Sequence, residues 1–205
     1  MLKRQRQAGF TIIEMMLAIT VAAVLLSLGA VGFASWMQSI QIRSAAESIQ
    51  NGISIARAQA VQRNTQVSFQ LVSSLDDSCA LVGTGSATQS SNWVISLDAA
   101  AGACGATAVE DVTGSTPAPR MLRKRAGDDG SRNAAVTVTG ASRVTFNGLG
   151  RLTSAATTID VTNPTGGACA ATSGPMRCLR LVVTAGGEVR MCDPKFTATN
   201  DPQGC

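Results

Sequence analysis

Glu14 is the only charged residue between Arg6 and Arg43, and the run behind it, from Met15 to Met37, carries no charge. A carboxylate in apolar surroundings costs roughly 2.5–3.5 kcal/mol at the centre of a bilayer, so it needs a positive partner. The chain can make one nearby: scission after Gly9 would create a free α-amine on Phe10, four residues before Glu14. Residues i and i+4 are neighbours on a helix, so the pair could close within one chain. The carboxylate of one copy could equally meet the amine of the next.

The second group with chemistry is the set of six cysteines, Cys79, Cys104, Cys169, Cys178, Cys192 and Cys205, all C-terminal to the apolar run. With no histidine in the chain and no Cys-x-x-Cys spacing, a zinc site has little to build on, and structural disulfides are expected. Six cysteines allow 15 connectivities and sequence does not choose among them. The sequential pairing Cys79–Cys104, Cys169–Cys178 and Cys192–Cys205 is favoured because each pair brackets a loop containing Gly, Ser or Pro.

Little else could react. There is no nucleophile beside a base, no glycine loop of the phosphate-binding kind and no carboxylate set at metal spacing. Asp76-Asp77 and Asp128-Asp129 read as solvated turn residues, since a calcium loop needs more oxygen ligands at fixed offsets. The expectation is a protein that is not an enzyme, with no metal and no cofactor.

The elements that position these groups follow from charge and periodicity. Lys3, Arg4 and Arg6 precede the apolar run, which places the leader in the cytoplasm and everything after about Met37 beyond the membrane. A secretory signal would be cut after its apolar segment, whereas here the candidate cut precedes it. Losing residues 1–9 takes three of the 17 basic residues and leaves 14 against 13 acidic ones, so the basic balance belongs to the leader. Beyond the run, Ile42, Ala45, Ile49, Ile53, Ala56 and Ala60 recur at helical spacing. A single helix from about Phe10 to Asn64 would be near 80 Å long at 1.5 Å per residue. Gly29 and Gly32 are its weak points, each costing up to about 1 kcal/mol relative to Ala.

From Thr65 the pattern changes to alternation. Strands are expected at 66–71, 93–97, 135–139, 143–146, 158–161, 178–183 and 188–192, with a hairpin turn at Ala185-Gly186-Gly187. The stretches 83–92, 98–119 and 162–176 read as mobile Gly-, Ala-, Ser- and Thr-rich loops, held only where a disulfide pins them. The fold class is α+β, a long N-terminal helix on an antiparallel sheet or sandwich stapled by disulfides. Four segments result: a leader (1–9), a membrane-spanning and assembly half of the helix (10–37), an amphipathic half (38–64) and a β-rich periplasmic domain (65–205).

Gly9-Phe10-Thr11-Ile12-Ile13-Glu14 after a Lys/Arg leader resembles the N-terminal signal of type IV pilins and type II secretion pseudopilins. The resemblance implies that a prepilin peptidase cleaves between Gly9 and Phe10, that the Phe10 amine is N-methylated and that Glu14 serves assembly. Many pilins carry a proline where Val31 stands here. Farther on, the segment from Ser54 to Asn64 with Val67, the strand and turn Val144 to Gly150, and the hairpin of Leu179–Val183 with Arg190–Pro194 resemble the GspH/FimT family.

The resemblance implies a minor pilin-like subunit of a type IV pilus, acting in initiation, assembly or tip presentation. It would sit in the bacterial inner membrane with its leader cytoplasmic, and then in the pilus at the cell surface. Its partners would be other pilins and the peptidase. A type II secretion pseudopilin is an alternative of the same build. A pilin that binds double-stranded DNA for natural transformation is another. Relatives of that kind carry Gly-Arg-x-Arg in the C-terminal hairpin; the matching residues are Gly187-Glu188-Val189-Arg190, so only Arg190 carries over. A second basic group, Arg120, Arg123, Lys124 and Arg125, could contact phosphates. A solvated strand or loop balanced by Asp128 and Asp129 is the plainer reading of those charges.

Overall fold

A computed structural model describes residues 9–205 except 86, 110 and 112–114; of residues 28–32 it describes the helical backbone alone. Lys3, Arg4 and Arg6 of the expected leader therefore lie outside the described residues. The chain divides into two compact units, residues 1–37 and 38–205.

Helix α1 runs Ile12–Arg63 and contains the boundary between the units. Its backbone stays helical through Gly29 and Gly32. In the first unit the apolar side chains face outward: Phe10, Ile12, Ile13, Leu17 and Leu26 are 66–81% exposed. Among the described residues, no helix is long and apolar enough to cross a membrane.

In the second unit the predicted stripe is buried without exception. Ile42, Ala45, Ile49, Ile53, Ala56 and Ala60 are fully inaccessible, and Ala46 joins them. They meet eight strands: β1 (Val67–Leu71), β2 (Trp93–Ser96), β3 (Met121–Arg125), β4 (Ala135–Thr139), β5 (Arg143–Phe146), β6 (Thr157–Thr162), β7 (Leu179–Val183) and β8 (Val189–Cys192). These form two four-stranded antiparallel sheets, in the orders β3-β2-β1-β5 and β4-β6-β7-β8. One core takes Phe69, Trp93 and Phe146 from the first sheet, Val136, Ile159 and Leu181 from the second, and the α1 stripe.

Strand β6 alternates between buried and half-buried residues, as a sheet with one covered face should. Strands β1 and β2 do not alternate: every residue in them is buried. Their second face is covered by the chain between β1 and β3, where Val72, Cys79, Val94, Ala100, Cys104 and Met121 make a satellite core. Gln70 is fully buried between the layers. Its Nε2 donates to Ser96 Oγ at 2.7 Å and to the Asp98 carbonyl at 3.0 Å, and its Oε1 accepts from the Ala100 N–H at 3.1 Å. With all these groups paired, the buried amide costs no unsatisfied polar atom.

Strand β3 is absent from the sequence expectation, because Arg123-Lys124-Arg125 breaks any apolar alternation. It forms since Met121 and Leu122 bury and its backbone pairs with β2, and a sheet edge tolerates charge. The stretch 83–92 is also more than a mobile loop. Thr88 exchanges backbone hydrogen bonds with Val136, and the Gly85 N–H donates to Val138 at 2.8 Å, so this segment covers the β4 edge.

Candidate functional site

The N-terminal motif opens a helix with its own cap. Thr11 precedes the first helical residue, and its hydroxyl accepts the Glu14 N–H at 3.3 Å. Thr11-x-x-Glu14 is thus the spacing of a capping box, with the carboxylate three residues past the cap. The first turn is also where the helix dipole favours a negative charge. Glu14 thus has a second use besides the amine on Phe10, and Thr11 has a part that the charge pattern alone does not show. The spacing itself was the available signal. Gly9 and Phe10 precede the helix, and both are exposed.

The three disulfides join Cys79 to Cys104, Cys169 to Cys178 and Cys192 to Cys205. The first staples the satellite core. The last closes the C-terminal loop, whose buried Asp193 carboxylate is reached from outside the loop by Arg177 at 2.8 Å. Among the described residues no group of side chains could hold a metal ion.

Four of the basic residues singled out for phosphate contact, Arg120, Lys124, Arg125 and Arg190, are engaged by partners within the chain while staying partly or wholly exposed. Arg120 makes a two-point contact with Asp98, Nε to Oδ2 at 2.9 Å and a terminal nitrogen to Oδ1 at 2.7 Å, and its backbone N–H adds a third bond at 2.9 Å. Hydrogen bonding from the Arg120 side chain, then from its backbone, lowers the Asp98 carboxyl to about 2. The Lys124 ammonium donates to the carbonyls of Cys104, Gly105 and Ala106 at 3.1–3.2 Å. Arg125 lies 3.8 Å from Asp129. Arg190 donates to the carbonyls of Gly204 and Pro202 and so holds the C-terminal loop. Asp98, in a stretch that reads as a loop, balances Arg120, while Asp129 of the expected acidic pair lies near Arg125. Arg123 shares a groove with Ile55, Gln59, Gln62 and Arg63 between α1 and β3.

Three separated sequence motifs meet at the C-terminal end of α1. Asn64 ends the helix in the left-handed region, at φ 46°, and packs so closely on Gly148 that a side chain there would begin 2.5 Å from Asn64 Oδ1. Arg57 Nε donates to the Gly150 carbonyl at 3.0 Å. Gly187, in the β7–β8 hairpin, lies against that same carbonyl with no room for a Cβ, and both Gly150 and Gly187 take positive φ. The junction binds helix, first sheet and second sheet together.

A capped N-terminal helix, an exposed apolar helical segment and a disulfide-stapled two-sheet domain define an α+β fold of the pilin-like kind. The chain belongs to the family described as type II transport protein GspH, which matches residues 45–187, and a prokaryotic N-terminal methylation motif matches residues 4–30. Two crystal structures of the type IV minor pilin FimU of Pseudomonas aeruginosa are similar to it. They are 20% and 18% identical, over 80% of this chain and 94% and 98% of theirs, each with a TM-score of 0.45. No curated protein matches the chain.

Proposed function

We propose that this protein is a minor pilin-like subunit of a type IV pilus, acting in initiation, assembly or tip presentation, and not an enzyme. The observation that carries the reading of a filament subunit is the N-terminal motif, which pilins and pseudopilins share: Gly9-Phe10 leads into a capped helix whose third residue is Glu14, inside the matched methylation motif. In this reading a prepilin peptidase cuts after Gly9 and the Phe10 amine is methylated. Residues 10–37 then lie in the inner membrane, with the domain on the periplasmic side, until the subunit joins others. Glu14 of the incoming chain neutralises the terminal amine of a neighbour, and the exposed side chains of Phe10, Ile13 and Leu17 exchange lipid for other helices. The Thr11 cap holds Glu14 on the first turn whether or not that amine is present.

A type II secretion pseudopilin is the second reading, and the description of the matched family favours it. DNA binding has less support, because Arg120, Lys124 and Arg190 are engaged within the chain. Replacement of Glu14 tests the assembly mechanism. Glu14→Ala is expected to be processed to Phe10 yet to be lost from sheared filaments. Incorporation equal to that of the unsubstituted chain would refute the role of the carboxylate.

A further inference from the structure

Phe33 and Trp36 end the apolar run with two exposed rings. They are 61% and 58% exposed, stand one turn apart on α1, and their ring centroids lie 5.8 Å from each other. The chain's second tryptophan, Trp93, is buried, and its indole N–H donates to Ser48 Oγ at 3.0 Å. The Trp36 N–H has no acceptor among the described residues. A ring with an apolar body and a polar N–H tip suits neither water nor hydrocarbon alone, and gains most where the two meet. Spacing puts that boundary at Trp36. It lies 22 positions after Glu14, with no charge between them. At 1.5 Å per residue that is about 33 Å of helix, against a hydrocarbon core of about 30 Å. The carboxylate and the indole can therefore stand at opposite faces of one bilayer at the same time. Beyond Trp36 the polar residues begin with Gln38, Ser39 and Gln41, and the first charge is Arg43.

We propose that Trp36, backed by Phe33, is a lipid-contact site that seats in the headgroup layer of the inner membrane, at the end of the span away from Phe10. The inference rests on the membrane reading of residues 10–37 above and adds the depth at which the segment sits. Phe33 lies one turn deeper, within the hydrocarbon, and the Trp36 N–H faces the acceptors of the headgroups and their water.

The test reconstitutes the full-length chain in phosphatidylcholine–phosphatidylglycerol vesicles whose acyl chains carry bromine, a quencher of tryptophan emission, either near the headgroup or near the chain end. Emission of the unsubstituted chain less that of Trp36→Phe, which keeps Trp93, reports Trp36 alone. Leu25→Trp in the Trp36→Phe chain supplies a second probe, midway between Glu14 and Trp36. Trp36 is expected to be quenched about twofold or more strongly by the shallow bromine than by the deep one, as a ring at headgroup level should be, and the Leu25→Trp probe in the reverse order. No quenching of the Leu25→Trp probe by either lipid would overturn the membrane reading, and the lipid-contact site with it. With that probe quenched from the deep position, three results would overturn the site alone. Trp36 could be quenched from the deep position equally or more; it could be open to aqueous acrylamide and untouched by bromine; or it could be shielded from both, as a ring packed on another helix is.

Discussion

Gly52 sets two opposing terms against each other, and the structure decides the sign. It is buried within α1, and a Cβ on it would begin 2.7 Å from Phe69 Cε2 and 3.1 Å from Trp93 Cε2. Alanine would gain about 1 kcal/mol of helix propensity. The two rings, however, cannot give way together. Phe69 is fully buried, the ring centroids are 5.7 Å apart, and the Trp93 indole N–H is tied to Ser48 Oγ at 3.0 Å. Overpacking of such a site costs about 1–3 kcal/mol. Because the nearest contact falls within the range that real Cβ atoms do not tolerate, the upper part of that cost applies. The net effect of Gly52→Ala is a loss of about 1–2 kcal/mol, or about 2–8 °C in Tm for a chain of this size. Thermal unfolding of the detergent-solubilised chain, followed by Trp93 emission in a Trp36→Phe background, measures it. Phe69→Leu removes the closest atom, so the double variant should lose about 1 kcal/mol less than the two single losses added together. An unchanged or higher Tm for Gly52→Ala, or strict additivity in the cycle, would refute the packing argument.

Two further outcomes follow from the domain. Asp98 has a folded pKa of about 2, below its unfolded value near 3.9, so its contribution is complete above pH ~4 and is lost as pH falls through 2. Asp98→Asn should therefore cost about 1 kcal/mol at pH 7, allowing for solvent screening, and flatten the acid limb of a stability–pH profile between pH ~4 and ~2. Cys79→Ser with Cys104→Ser should cost about 3 kcal/mol by loop entropy. It should also speed amide exchange at Ala100 and Gly102, whose N–H groups bond to Gln70 and to the Cys79 carbonyl. Hydrogen exchange read by mass spectrometry checks this, and unchanged protection there would count against the satellite core.

What was legible in the sequence is what periodicity and charge determine locally. The stripe from Ile42 to Ala60 needed only the 3.6-residue repeat, and seven strands announced themselves by alternation. Strand β3 did not, because an edge strand is recruited by its neighbour's unpaired backbone and can consist largely of cations. Gln70 looked like an outward residue in an alternating strand. It is buried because the chain between β1 and β3 folds back over the sheet, a long-range event with no local signature. The same event supplies Asp98 to Arg120 and the carbonyls of 104–106 to Lys124, which turned a candidate phosphate surface into internal fastening. The spacing Thr11-x-x-Glu14 was fully visible. A stranded carboxylate before an apolar run points to a charge partner more strongly than to a cap, because burial of a charge costs more than a missing cap.

The most direct test of the central claim is mass spectrometry of the chain recovered from sheared filaments of cells with an active prepilin peptidase. The account predicts a polypeptide that begins at Phe10 with a methylated amine and retains residues 10–37. A chain that begins at Met1, or that begins after residue 37, would contradict it.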